Sequence, residues 1–182
     1  MKVLIILSLT GLCTGLVSCN GNPAEDTKQK AMTENVARDS SLCVRADARF
    51  MVKAAEVYLT QIQLAQLART RSKSKEVKDL AENMESYYTA SLAELTKLAG
   101  EKHITLPEST TKKGESTYDM LNDQNKKQFD EAYNKVLIDT HQEALDSLSI
   151  DSVCDGKVRA WNKRIISDIR HNMNMTVLKQ QP

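Results

Sequence analysis

Four stretches of this chain place apolar side chains at steps of three and four, and that period limits what it can fold into more than any other feature. Phe50, Ala54, Val57, Gln61, Leu64 and Ala68 make the first stripe, with one polar residue at its middle. Val77, Ala81, Met84, Tyr88, Ser91, Leu95 and Leu98 make the second. Phe129, Tyr133, Val136, Leu137, His141, Ala144 and Leu148 make the third, and Val158, Trp161, Ile165, Ile169, Asn172, Met173 and Thr176 the fourth. Residues recurring every 3.6 positions share one face of an α-helix, so each stretch reads as a one-sided helix. Four such helices of about 23–28 residues bury their stripes best against one another, which predicts an all-α four-helix bundle. No strand-like alternation competes, and six glycines and three prolines are few enough to favour helix throughout.

Local signals set the boundaries. The first helix starts near Cys43 and closes in Arg69-Thr70-Arg71-Ser72; Ser74 can cap the second, with Glu76 suiting the dipole in its first turn. Gly100 ends that helix. Residues 101–114, with Pro107 and Gly114, read as a connector. A short helical piece over 116–121 leads into a third long helix at about 123–150, a turn follows at 151–155, and the fourth helix occupies about 156–178. The sixteen residue steps from Gly100 to Ser116 extend to about 50 Å, beyond the roughly 40 Å length of these helices. A crossover between the second and third long helices is therefore within reach, as in ferritin-like folds, whereas an up-down-up-down turn needs far fewer residues.

The N-terminus speaks of location. Met1-Lys2 followed by an apolar run over 3–17 describes a secretory signal peptide, residues 1–18. Fifteen apolar residues fall short of the roughly 20 that a membrane-spanning helix needs. The run ends on Leu16-Val17-Ser18-Cys19, which resembles the bacterial lipobox, in which the cysteine is acylated and becomes the new N-terminus. Asn20 after Cys19 then implies an outer-membrane destination, facing the periplasm or the cell surface. Residues 19–42 read as the lipidated N-terminus and a flexible polar tether, the twenty-three residues after Cys19 reaching about 25 Å, with the folded domain at 43–182. Lys2 is the one charge lost with the signal, leaving 24 basic and 24 acidic side chains. That balance, without a basic aromatic-rich face, excludes nucleic acid as the partner.

Of four cysteines, Cys13 leaves with the signal and Cys19 carries lipid, so Cys43 and Cys154 remain. In an exported protein two thiols invite a disulfide; the alternative is two separate thiols buried as small apolar residues. Each directly precedes a long helix, and a crossover would bring those two helix starts together. Without it they would sit a bundle length apart, too far to bond.

The ordered elements also resemble a known family. Phe50-x-x-x-Ala54-Ala55 and Leu64-Ala65-x-Leu67-Ala68 are followed by Glu76-Val77-Lys78-x-x-Ala81-x-x-Met84, then Leu95-x-x-Leu98-Ala99 and Ile104-Thr105-Leu106-Pro107. Phe129-Asp130-x-x-Tyr133 follows, with His141 eight residues on. Over residues 47–178 this is similar to domain-of-unknown-function family 4142, exported ferritin-like bundles often described as outer-membrane proteins. The resemblance implies a glutamate midway along the first helix, an Asp-His pair in the second and another in the third, and a histidine in the fourth, a set suited to a buried metal. The matching positions here read Gln61, Tyr87-Tyr88, Thr140-His141 and Asn172. His141 alone is a good ligand, and His171 is one residue off register. Gln61, Tyr88, His141 and Asn172 therefore read as a hydrogen-bonded polar layer in the core, with no metal; the alternative is a metal held through His141.

Other signals are weaker. Arg69, Arg71, Lys73 and Lys75 crowd the first turn, either as a solvated loop or as an attraction for an anionic partner. Met173 and Met175 read as packing and His103 as a surface histidine. No Ser/His/Asp order, phosphate loop or Cys-x-x-Cys is present, so no enzyme and no cofactor is expected. The expectation is a lipid-anchored cell-envelope protein whose bundle serves a non-catalytic interaction or stress-related role. Its partners would be the membrane, through the lipid, and an unidentified envelope protein. The alternative is a ferritin-like metal-binding or redox protein using His141.

Overall fold

The computed structural model describes residues 23–148 and 153–178, and among these the chain is helical with no strand. The helices are α1 (Pro23–Arg38), α2 (Leu42–Arg71), α3 (Lys75–Glu101), α4 (Lys112–Asn122), α5 (Phe129–Leu148) and α6 (Gly156–Leu178). None is long and apolar enough to cross a membrane. The signal segment and Cys19 lie outside the described residues.

Caps explain the long helices' ends. The hydroxyl oxygen of Ser41 accepts from the Val44 amide at the start of α2, and that of Ser74 accepts from Val77 at the start of α3. Glu76 accepts from the Ser74 hydroxyl at 2.7 Å. α3 runs one residue past Gly100, and His103 takes the left-handed turn that stops it, at φ 54°. The Ile104 amide reaches back to the Ala99 carbonyl at 2.9 Å and His103 to Gly100 at 3.2 Å, which is a Schellman closure. His103 thus ends a helix, a role glycine fills more often.

α2 is the centre of the core. It packs along α3, then against α5, while α5 pairs with α6 and α3 touches α6. The predicted stripes turn inward: Leu64, Met84, Leu95, Phe129, Leu137, Val158 and Ile165 are all buried.

The expected tether proves otherwise. Residues 23–38 form α1, which packs on α2 and α4. Its docking is polar, so no apolar period announces it. Asn35 is buried and treats the connector as a partner strand, its Nδ2 donating to the Thr105 carbonyl at 2.9 Å and its Oδ1 accepting from the Thr105 amide at 2.7 Å. Arg38 donates to the His103 carbonyl, Lys28 pairs with Glu56, and Ala31 supplies the buried apolar contact.

The segment between α3 and α5 travels along α2. It leaves Asn35 at Thr105, meets α2 where Thr60 and Thr110 share a hydrogen bond of 2.7 Å, and reaches α2's end where Arg71 donates to the Asn122 and Gln124 carbonyls. α4 starts at Lys112, four residues before the expected helical piece. Gly114 permits its approach, since a Cβ there would lie 2.6 Å from Thr60 Oγ1 and 2.0 Å from Thr110 Oγ1. The third long helix begins at Phe129 instead of near 123, because Asn125 Oδ1 captures the Lys127 and Gln128 amides in a turn. The Arg71 guanidinium lies 5.5 Å over the Phe129 ring and fixes the start of α5 at the end of α2.

At the other end, Cys43 and Cys154 form a disulfide with Cα atoms 5.4 Å apart. Beside it the buried Asp47 carboxylate accepts the Cys154 and Asp155 amides at 2.8 and 3.0 Å. Asp155 in turn caps α6, accepting from Lys157 and Val158, and pairs with Lys102. The starts of α2 and α6 are therefore held together by a covalent bond and a carboxylate.

Candidate functional site

The polar residues of the four stripes do not form one layer. His141 is fully buried on α5. Its Nδ1 lies 2.5 Å from the Leu137 carbonyl and its Nε2 2.7 Å from the Tyr88 hydroxyl. A carbonyl only accepts, so Nδ1 carries the proton, and Nε2 accepts from the Tyr88 O–H. Burial pushes the imidazole pKa down to about 4, only partly opposed by the Leu137 carbonyl, so the ring is neutral at ordinary pH. Burial likewise pushes the Tyr88 phenol up, keeping it a donor. Both ring nitrogens are thus engaged inside the protein.

Asn172 sits beside this pair on α6, half-buried. It comes near enough to the Tyr88 hydroxyl to favour its ionised form slightly, yet its Nδ2 has no hydrogen bond of ordinary geometry. Gln61 is not joined to the pair. Its Nε2 donates to Thr140 Oγ1 at 2.7 Å, and Thr140 spends its own hydrogen on the Val136 carbonyl at 2.7 Å. Thr140, matched beside His141 but left out of the expected polar layer, is therefore the partner of Gln61; its role depends on a neighbour 79 residues away.

Tyr58, Tyr88 and Trp161 continue the core as an aromatic cluster, with centroids 5.5 Å apart for the two tyrosines and 6.0 Å for Tyr58 and Trp161. His171 is exposed, as its register implies.

Such a donor set does not suit a transition metal. One imidazole with both nitrogens occupied, a phenol and two amides offer little to an ion that wants several imidazoles or carboxylates. Among the described residues no group of three or more His, Cys, Asp or Glu comes together in a way that could hold one.

On the other side of Gln61 a cleft of about 560 Å³ opens between α2, α4 and α5, with Lys28 of α1 at its edge. Gln61 is 2% exposed, and its Oε1 has no hydrogen-bond partner. An unmet buried acceptor costs about 1–3 kcal/mol, so this atom is a demand placed on whatever fills the cleft.

The basic crowd at the first turn is partly neutralised: Arg69 pairs with Glu85 and Lys75 pairs with Asp79 at 2.6 Å. Arg71 is engaged by the carbonyls of Asn122 and Gln124 and the Phe129 ring.

Residues 30–176 match the domain of unknown function DUF4142. The chain belongs to that family. No curated protein and no solved structure matches it.

Proposed function

We propose that this DUF4142 member is a lipid-anchored protein of the bacterial cell envelope, held in the outer membrane through Cys19, whose helical domain is a non-catalytic interaction or stress-related module. The observation that carries the non-catalytic half is the closed Tyr88–His141 pair. Among the described residues, the one buried imidazole serves packing and hydrogen bonding. We also infer that α2, α3, α5 and α6 make a ferritin-like bundle with the segment between α3 and α5 as its crossover. Supporting this are the Arg71 bonds to Asn122 and Gln124 at one end and the disulfide at the other.

Anchoring rests on the lipobox alone and has a direct test. Cys19→Ala should block acylation and shift the protein from the detergent phase to a precursor or soluble form; equal partitioning of mutant and wild type would sink the lipoprotein reading. The competing metal or redox function separates on elemental analysis of protein purified from its native envelope. Less than about one tenth of an equivalent of iron, manganese or zinc is expected, given so poor a ligand set. Stoichiometric metal that disappears in His141→Ala would replace the interaction reading with the metal one.

A further inference from the structure

We propose that the cleft between α2, α4 and α5 is a binding site for a small, uncharged, polyhydroxylated ligand, the chemistry of a monosaccharide or polyol, which donates a hydrogen bond to Gln61. The site does not depend on the lipid anchor. Its volume of about 560 Å³ falls in the range of ligand pockets, roughly 300–1,000 Å³.

The direction of the hydrogen bonds selects the ligand. Because the Thr140 hydrogen is spent on Val136, Thr140 can only accept from Gln61, which fixes the amide with Nε2 toward Thr140 and leaves Oε1 as a buried acceptor without a partner. The other hydroxyls around the cleft are committed in the same way. Thr60 donates to the Glu56 carbonyl at 2.9 Å, Thr117 to Lys113 at 2.9 Å and Ser147 to Ala144 at 3.1 Å. These hydroxyls therefore present lone pairs, and a ligand that meets them and Gln61 must bring donors.

Charge narrows the class further. Lys28 pairs with Glu56 and Lys113 with Glu143, which leaves one cation, Lys53, and one anion, Asp146, outside any ion pair. With the signs balanced, neither a polyanion nor a polyamine gains from the cleft as a whole, so the donors should be hydroxyls and not ammonium groups. Val57 and Ala144 offer apolar surface for the carbon skeleton.

The experiment is an NMR titration of the isotope-labelled full chain with N-acetylglucosamine and with myo-inositol, following the Gln61 side-chain amide and, in every variant, the backbone amides of Val57, Thr60 and Ala144 in the cleft wall; putrescine and glutamate serve as charged probes. At least one neutral probe should shift the Gln61 signals saturably. Its affinity should fall about ten-fold in Gln61→Met, which removes the acceptor, and in Thr117→Trp, which fills the cleft from its partly exposed rim. Circular dichroism identifies any variant that fails to fold, and the rim variant keeps the test valid if Gln61→Met does. The proposal is overturned if neither neutral probe moves Gln61 up to its solubility limit, or if putrescine or glutamate binds there as tightly. It is also overturned if Thr117→Trp folds and binds as the wild type does.

Discussion

Lowering the pH from 7 to 4 is expected to remove about 3 kcal/mol of folding stability through His141 alone, the product of its pKa displacement and about 1.4 kcal/mol per unit. Burial holds the folded pKa at about 4, against an ordinary 6.5. Across that interval the unfolded chain takes up a proton that the folded chain refuses, so protons favour unfolding. The contribution is therefore complete above 6.5 and is lost as the pH falls toward 4. Glu76, Glu85, Glu101 and Asp155 are also held below the usual carboxylate range, chiefly by hydrogen bonds to Ser74, Arg69, Lys157 and Lys102 respectively. Glu76 and Glu101 are exposed and Glu85 and Asp155 half-buried, so solvent screens what those pairs contribute. Urea midpoints at several pH values check this. His141→Gln, which can still accept from Tyr88, should be less stable at pH 7 but flat between pH 6.5 and 4.5. An equal slope in both proteins would show that His141 is not the titrating group.

The apolar period made the four long helices legible because burial of one face is a property each helix carries in its own sequence. Ser74 and the start of α6 were equally plain; the pairing of Cys43 with Cys154 was one of two readings, beside two separate buried thiols, and the structure holds the bridge. α1 was not legible. It docks through Asn35, Arg38 and Lys28, residues that look solvated until Thr105, His103 and Glu56 are brought to them. The same holds for Asp47, a charge between Arg45 and Arg49 at the start of α2 whose partners are amides more than 100 residues away. Arg71 misled for the opposite reason, since a crowd of positive side chains looks like a surface when one of them is a structural clamp. At the candidate site, His141 and Tyr88 could be paired from their stripes. The cleft beside Gln61 could not, because it is set by the path of α4 across α2 and α5 and has no sequence signature of its own.

Removing the Cys43–Cys154 bridge should have the largest effect of any single chemical change in the described domain. The two cysteines are 111 residues apart, and closing a loop of that size is worth about 4–5 kcal/mol in the chain-entropy account, as an upper figure. In a domain of this length that corresponds to a fall of about 10 °C in Tm. The double variant Cys43→Ser/Cys154→Ser and the reduced wild type should coincide, because both lose the same constraint on the unfolded chain. Both should remain helical, since Asp47 still holds the Cys154 and Asp155 amides and Lys102 still pairs with Asp155. Asp47→Asn should consequently be tolerated better with the bridge intact than without it, as neighbours sharing one turn are coupled and not additive. If reduction leaves the urea midpoint of the wild type unchanged, the bridge contributes nothing to stability and Asp47 alone holds α6 to the start of α2.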